Sequence, residues 1–393
     1  MKKKIVILGA TGSIGSTTLS LIQKDKKYFK VILLTANSNY KKLFILANNF
    51  NCINLIIHNK TRYLEALNKN KNKKLNIFNT TKEFLKNFKG KVDFTMSSIS
   101  GIHGLEPTLD AITFSKCIAI ANKESIICGW NLIEKKIKKF NTTFIPVDSE
   151  HFSIWTLIKN YKISQIEKII ITASGGPFLN LRMSKFKNIT HEKATRHPNW
   201  SMGKKISIDS ATLMNKVFEV IEAQRIFKIP FYKFEILIHP KSYAHAIVKF
   251  TNGTSKILLH DTDMKVPIFN SLYNSDYNKK FLSNKIDFKK VNDLNFTKVN
   301  TLKFPSVKII TKIPENISLF ETVVVSANDS LVELFLDKKI KFLDIYKKLK
   351  NITSLKEFTK LKHFSPKSVS EIMKLNRYVH LKVMSLCAIT RIK

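Results

Sequence analysis

The sequence predicts an α/β chain with an N-terminal doubly wound, Rossmann-like parallel sheet, a central α+β domain and a C-terminal helical bundle. Three observations predict it. Short apolar runs alternate with helical segments from residue 4 to about 150, as in a mainly parallel sheet wrapped by helices. A glycine-rich turn joins the first strand to the first helix. Beyond about residue 301, apolar residues recur at helical spacing.

Strands are expected at residues 4–8, 31–35, 54–58, 75–78, 92–96, 117–121 and 143–146, with helices at 16–23, 41–48, 105–116 and 131–140. These make a first domain over residues 1–147. From 148 to 273 the pattern changes. A strand at 168–172 runs into a Gly-rich turn, a long helix covers 211–227, and strands follow at 234–238, 244–250 and 255–259. Asn252-Gly253 between the last two is a strong hairpin signal, because tight hairpin turns need positive φ. The Asn- and Lys-rich stretch 274–300 reads as a connecting segment. Helices at 330–337, 341–350 and 368–386 place the C-terminal helical domain over 301–393.

Composition narrows the function classes. Hydrophobic residues make up 44% and charged residues 24% of the chain, ordinary for a folded protein. No apolar run approaches the ~20 residues that span a bilayer, so no membrane association is expected. Met1-Lys-Lys-Lys4 resembles the start of an export signal, but the apolar stretch after it is too short and reads as a buried strand. Cys52, Cys117, Cys128 and Cys387 are scattered, which argues against a disulfide scaffold or thiolate metal site and for a reducing cytoplasm. The 67 basic and 29 acidic residues give a net charge of +38. Lysines are spread along the chain, not gathered with aromatics in one arm, so a solvated surface is expected and not specific nucleic-acid binding. The field still favours an anionic substrate.

Gly9-Ala-Thr-Gly12-Ser-Ile-Gly15 follows the first strand and opens the first helix. Glycines let backbone approach a pyrophosphate, whose charge meets the helix N-terminus. An NAD site carries Asp or Glu about 20 residues on, against the ribose 2′-hydroxyl. Here Thr35-Ala-Asn37-Ser38-Asn39 stands instead, with Lys41 and Lys42 beyond. An acid would repel a 2′-phosphate and these residues accept one, so NADP is favoured over NAD.

A second constellation is acidic. The seventh strand ends in Pro146-Val-Asp148-Ser149-Glu150, and an extended Asp-x-Glu turns both carboxylates to one side. In the helix at 211–227, with Asp209 or Ser210 as its cap, Asn215, Lys216, Glu219 and Glu222 form a polar stripe among apolar neighbours. Such groups are either ordinary surface polarity or the lining of a cavity. If they converge, Asp148, Glu150 and Glu219, without clustered Cys or His, suit a hard ion, Mg²⁺ or Mn²⁺. Ala173-Ser174-Gly175-Gly176 offers a hydroxyl and open amides for an oxyanion. His197-Pro-Asn-Trp200-Ser-Met-Gly203 has the composition of a mobile lid.

Together these segments resemble the 1-deoxy-D-xylulose 5-phosphate reductoisomerase family. The motifs that carry the resemblance are GATGSIGSTTL from Gly9, IANKES from Ile120, PVDSEH from Pro146, ASGGPF from Ala173, RHPNWSMGKKISIDSATLMNKVFEVIEA from Arg196 and LIHPKS from Leu237. The resemblance covers nearly the whole chain and implies conversion of 1-deoxy-D-xylulose 5-phosphate to 2-C-methyl-D-erythritol 4-phosphate with NADPH and a divalent metal. It implies that Thr11, Gly12, Ser13 and Ile14 contact the NADPH phosphates, Asn37, Ser38 and Asn39 the 2′-phosphate, Asn122 and Glu124 the nicotinamide half, and Gly203 the cofactor. Lys123, Ser149 and Glu150 would contact the substrate backbone. Ser174, His197, Ser210, Asn215 and Lys216 would bind substrate largely through its phosphate, with Trp200 on the lid. Lys123, Asp148, Glu150, His197 and Glu219 form the implied catalytic set, the three acids among them holding the metal. The central domain would then be catalytic and dimerising, in a homodimer. Ser38 departs from members that carry Lys there, leaving Lys41 or Lys42 to meet the 2′-phosphate. Other dehydrogenase classes fit less well. A Tyr-x-x-x-Lys pair, Tyr346 and Lys350, lies in a Lys-rich C-terminal helix, and neither Cys117 nor Cys128 is placed as a nucleophile.

Overall fold

In a computed structural model of the chain, residues 1–200, 202–274, 279–281 and 286–389 are described. They divide into two compact units. The first takes in Met1–Ser125 and Asn131–Asp148 with 264–274 and 279–281; the second takes in Ile126–Trp130 and Ser149–Asp263 with 286–389.

The first unit is built on a seven-stranded sheet with the order β4-β3-β2-β1-β5-β6-β7, every pairing parallel. Its strands are β1 (Lys3–Leu8), β2 (Phe29–Ala36), β3 (Asn54–Ile57), β4 (Asn76–Phe78), β5 (Phe94–Ser97), β6 (Cys117–Ile120) and β7 (Thr143–Pro146). Helices on both faces bury them, so β1 reads Ile-Val-Ile-Leu with no exposed position among those four. The strand order reverses between β1 and β5, which places the crevice at the carboxyl end of β1. There α1 (Ser13–Lys24) starts, and α2 (Tyr40–Asn49) follows β2. Helices at Lys60–Lys69 and Thr81–Asn87 were not legible in sequence. The first buries only Ala66 and leaves Leu64 and Leu67 exposed, and the second, seven residues long, buries only Thr81 and Phe84, so neither has a wide buried apolar face. Helix α3 (Lys123–Phe140) is kinked at Gly129, whose φ of −139° and ψ of 22° are not helical.

The second unit carries a mixed five-stranded sheet, β11-β10-β8-β9-β12. Its strands are β8 (Ile166–Ala173), β9 (Phe234–Ile238), β10 (Ala244–Phe250), β11 (Ser255–Leu259) and β12 (Thr297–Lys298). The β10–β11 hairpin turns through Asn252 and Gly253 as the sequence predicts, with Gly253 at φ +86°. Helices α4 (Ser149–Ile158) and α6 (Met214–Phe227) lie on this sheet, Ile154, Val220 and Ala223 packing against Ile169, Ile171, Ala246 and Val248.

The helix expected at 211–227 is α6 (Met214–Phe227), starting three residues later than expected, and a separate helix, α5 (Lys204–Ala211), precedes it. Between them Leu213 adopts a left-handed φ of 59° and starts α6 without a side-chain cap. Asp209 and Ser210 therefore lie inside α5 and do not cap α6. The stretch 274–300 is more than a connection, because β12 pairs antiparallel with β9 and a short helix covers Phe288–Asn292. Residues 275–278 and 282–285 of it lie outside the described residues. In the C-terminal part, α7 (Leu319–Leu336) begins eleven residues before the expected helix. Ser318 and Glu321 form its capping box, and the buried run Val323-Val324-Val325 hid the helical period. Ser326 Oγ meets Asn376 Oδ1 at 2.6 Å and Ser330 Oγ meets His380 Nδ1 at 3.0 Å, tying α7 to α8 (Val369–Ile389).

Candidate active site

The nucleotide turn lies in the first unit. Gly9 has φ +82°, and a Cβ there would stand 2.7 Å from the Ser98 carbonyl oxygen. A Cβ on Gly15 would meet the Gly9 oxygen at 2.3 Å, so helix and strand can pack this closely only through glycine. Gly12 is the extended N-cap of α1 and no side chain caps the helix, an arrangement that suits an anion. Thr11, Ser13 and Ile14 flank it. Buried Thr35 fixes the turn, accepting from Gly9 N on its hydroxyl at 2.9 Å and from Ala10 N on its carbonyl at 2.8 Å. Beyond Thr35, Asn37, Ser38 and Asn39 are exposed. Asn39 caps α2 by accepting from Lys42 N at 3.1 Å. The Lys42 ammonium reaches back to the Thr11 carbonyl at 3.0 Å and the Ser16 hydroxyl at 3.1 Å. Of the two lysines considered for the 2′-phosphate, Lys42 is the one these contacts hold at the glycine turn.

At the start of α3, Asn122 accepts from Ser125 N at 2.6 Å and donates to the carbonyls of Gly101, at 2.7 Å, and Ile99. Its amide thus ties the turn after β6 to the turn after β5. Lys123 Nζ lies 3.3 Å from Asp148 Oδ2, both groups being mostly buried, and Glu124 follows in the helix's first turn.

The carboxylates of Glu150 and Glu219 converge in the second unit, within 4.8 Å of each other. Glu150 does not sit on an extended segment: α4 begins at Ser149, so the helix's first turn presents it and strand alternation does not apply. The Lys216 ammonium stands between the two acids, bonded to Glu150 and 2.6 Å from Glu219 Oε2. Ser149 Oγ bonds Glu150, and Asn215 Nδ2 bonds Glu219. Burial alone would lower the Lys216 pKa, but the flanking carboxylates of Glu150 and Glu219 hold it above its ordinary value. Lys216, Glu219 and Glu222 are all buried, so the polar stripe of α6 lines an interior site and is not a solvated face. Two buried carboxylates facing one ammonium leave excess negative charge, which with oxygen-only donors fits a divalent hard cation. Asp148 closes the first unit two residues ahead of Glu150 in the chain.

Close by in the same unit lies a group of small polar residues. Gly175 and Gly176 have φ of +82° and +68°, and a Cβ on Gly176 would stand 2.8 Å from the Ser210 oxygen. The turn after β8 therefore rests directly on α5, and Ser174 accepts from Gly176 N at 3.1 Å. His197 Nε2 is 3.0 Å from the Ser174 hydroxyl, while its Nδ1 accepts from the amides of Asn199, at 3.1 Å, and Trp200, at 3.0 Å. Asn199 Nδ2 donates to Pro240 O at 2.6 Å and Ser242 Oγ at 2.9 Å, and Trp200 stands edge-on to His245 at 6.2 Å. Gly203 is the exposed N-cap of α5. Ser201 of this segment lies outside the described residues.

Burial, reinforced by the charge of Lys216, lowers the His197 pKa from 6.5 to about 4. Two amides donating to Nδ1 agree with a neutral ring. Between those values the unfolded chain binds the extra proton, so the stability His197 confers is complete above 6.5 and lost as pH falls toward 4. His197→Gln is expected to flatten the fall in melting temperature between pH 6.5 and 4 relative to the parent; parallel curves would contradict the assignment.

Two buried residues at this site escaped the sequence reading. His151 Nε2 lies 2.8 Å from the Glu219 carbonyl, and its Nδ1 lies 3.4 Å from Glu222 Oε2. Asp209, read as a possible cap, instead accepts from Asn328 Nδ2 at 2.8 Å. The signal for the first was a histidine directly after two candidate acids; 119 residues separate the second pair, and no local pattern reports it.

Comparison with known proteins gives a consistent result. Residues 5–129 match the family model described as 1-deoxy-D-xylulose 5-phosphate reductoisomerase, residues 144–227 the model of that enzyme's C-terminal domain, and residues 259–381 a further DXP reductoisomerase C-terminal domain. The 1-deoxy-D-xylulose 5-phosphate reductoisomerase of Pelagibacter ubique is 55% identical over 387 residues, 98% of this chain and 99% of the relative. That of Clostridium botulinum is 36% identical over 98% of this chain and 100% of the relative. Among solved structures, the Zymomonas mobilis enzyme in complex with NADPH aligns with a TM-score of 0.87 at 33% identity, covering 98% of this chain and 99% of the other. A DOX-P reductoisomerase in complex with NADPH, fosmidomycin and magnesium aligns with a TM-score of 0.89 at 29% identity, covering 99% of both.

Proposed function

The chain belongs to the 1-deoxy-D-xylulose 5-phosphate reductoisomerase family, and on that premise we propose which of its residues perform the reaction. The enzyme converts 1-deoxy-D-xylulose 5-phosphate to 2-C-methyl-D-erythritol 4-phosphate, using NADPH and a divalent metal. Asp148, Glu150 and Glu219 hold that ion, Mg²⁺ or Mn²⁺. The observation that carries this reading is the burial of Glu150 and Glu219 at one point with a single ammonium between them. When bound, the ion supplies Lewis-acid stabilisation of the substrate's carbonyl and hydroxyl oxygens, and NADPH supplies the hydride.

The chain's own residues bind and orient. Lys123, Ser149 and Glu150 face the substrate backbone. Ser174, His197, Ser210, Asn215 and Lys216 take its phosphate end, and neutral His197 donates one hydrogen bond there instead of adding charge. Trp200 closes over the substrate and excludes water. Thr11, Gly12, Ser13 and Ile14 cradle the NADPH diphosphate, Asn37, Ser38 and Asn39 with Lys42 meet the 2′-phosphate, and Asn122, Glu124 and Gly203 lie toward the nicotinamide end. The enzyme works as a homodimer in the cytoplasm, pairing through the sheet of the second unit. Among the described residues no helix is long and apolar enough to cross a membrane.

A direct test is NADPH oxidation with 1-deoxy-D-xylulose 5-phosphate before and after EDTA. Turnover is expected only with metal, restored by Mg²⁺ or Mn²⁺, with NADPH at least about tenfold better than NADH in kcat/KM, the scale of one charge-assisted contact. Activity indifferent to chelation would contradict the metal assignment.

A further inference from the structure

Helix α7 sends the polar side chain of Asn328 toward the catalytic half of its unit, and it does so at a cost. Asn328 is fully buried. Its Oδ1 has no hydrogen-bond partner among the described residues, so an apolar side chain would fill the place more cheaply. What Asn328 does provide is a donor: Nδ2 reaches Asp209 Oδ1 at 2.8 Å. Asp209 is itself 2% exposed, and Lys205 Nζ stands 3.2 Å from its other oxygen. The same ammonium lies 2.9 Å from Asp329 Oδ1, the residue after Asn328, and 5.5 Å over the Phe218 ring of α6. One lysine therefore links α5, α6 and α7.

The location gives this network its significance. Asp209 immediately precedes Ser210, against whose carbonyl the Gly176 backbone is pressed. Four residues on, the chain passes through left-handed Leu213 into α6, whose first two turns carry Asn215, Lys216 and Glu219. Left-handed backbone at a leucine is costly and persists only where surroundings impose it. Thr212 Oγ1, at 3.1 Å from Ile208 O and 3.2 Å from Asp209 O, is the corner's own local tie. The Asp209–Asn328 bond is a long-range tie that anchors the corner to a separate, buried helix.

We infer that Asp209 and Asn328 are positioning residues, through which the C-terminal helices fix the α5–α6 corner and so set the geometry of the substrate's phosphate subsite. Neither touches substrate; they act through Ser210, Asn215 and Lys216. The inference rests on the proposed assignment of those three residues to the phosphate end.

The test uses the full-length enzyme with its metal and NADPH. Asn328→Asp sets two carboxylates against each other, and Asp209→Asn removes the charge that Lys205 and Asn328 hold. Each single substitution is expected to raise KM for 1-deoxy-D-xylulose 5-phosphate about tenfold or more, as loss of a hydrogen bond to a buried charged group should, with KM for NADPH within about twofold. The reciprocal double variant Asp209→Asn with Asn328→Asp restores a donor–acceptor pair and is expected to return the substrate KM to within about threefold of the parent. An unchanged substrate KM in the singles, an equal rise in both KM values, or a double variant no better than its parents would each overturn the inference. Ser210→Ala separates its failure from that of the underlying assignment, because that substitution should raise the substrate KM whatever Asn328 does.

Discussion

Glu219→Gln is expected to lower kcat by at least about a hundredfold at saturating metal, more than the loss usually seen when a residue merely supporting a ligand is removed, and to leave the fold intact. Gln has the size of Glu and keeps one acceptor oxygen, for either Lys216 or Asn215, so the apolar packing of α6 on the sheet is preserved. What is lost is one of three negative charges proposed to hold the ion. Near-parental circular dichroism with collapsed turnover is the expected pair of results. A variant with near-parental kcat at limiting Mn²⁺ would remove Glu219 from the metal set.

The second large effect is on stability. Arg225 on α6 is 3% exposed at its side chain and pairs with the fully buried Glu321 at 2.5 Å. It also donates to Pro314 O at 2.8 Å and to Glu315 O, so it ties α6 to the loop before α7. Burial raises the Glu321 carboxyl pKa against the opposing pull of Arg225. Arg225→Met leaves that acid inside without its cation, and removing one partner of a buried pair costs about 3–5 kcal/mol. The urea midpoint should fall accordingly, and Glu321→Gln added to Arg225→Met should recover part of the loss, since it removes the uncompensated charge. A single variant as stable as the parent would show that the pair contributes no net stabilisation.

How much of this was legible depends on how local each signal is. The glycines at 9, 12 and 15, the hairpin at Asn252-Gly253 and the stripe Lys216, Glu219, Glu222 are short-range patterns, and each appears in the structure where the spacing put it. The neutral stretch after Thr35 was equally readable, although only the structure distinguishes Lys42 from Lys41. Failures came where tertiary packing overrode local preference. Glu150 looked strand-borne because Pro146 and Val147 read as extended, yet α4 starts one residue after Asp148. The left-handed Leu213 sets the start of α6 three residues later than the apolar pattern suggested, with no glycine to mark it. Helix α7 is buried nearly all round, so its period disappeared into a valine run. The Asp209–Asn328 and Arg225–Glu321 contacts join residues about a hundred positions apart, beyond any window of local pattern.

Carboxylates 148, 150 and 219 are proposed to gather around one divalent cation. Manganese binding to metal-free enzyme, followed by electron paramagnetic resonance in the parent and in Asp148→Asn, Glu150→Gln and Glu219→Gln, tests it without relying on turnover. One tight site per chain is expected in the parent, weakened at least about tenfold by each substitution. Parental affinity in all three variants would place the ion elsewhere and contradict it.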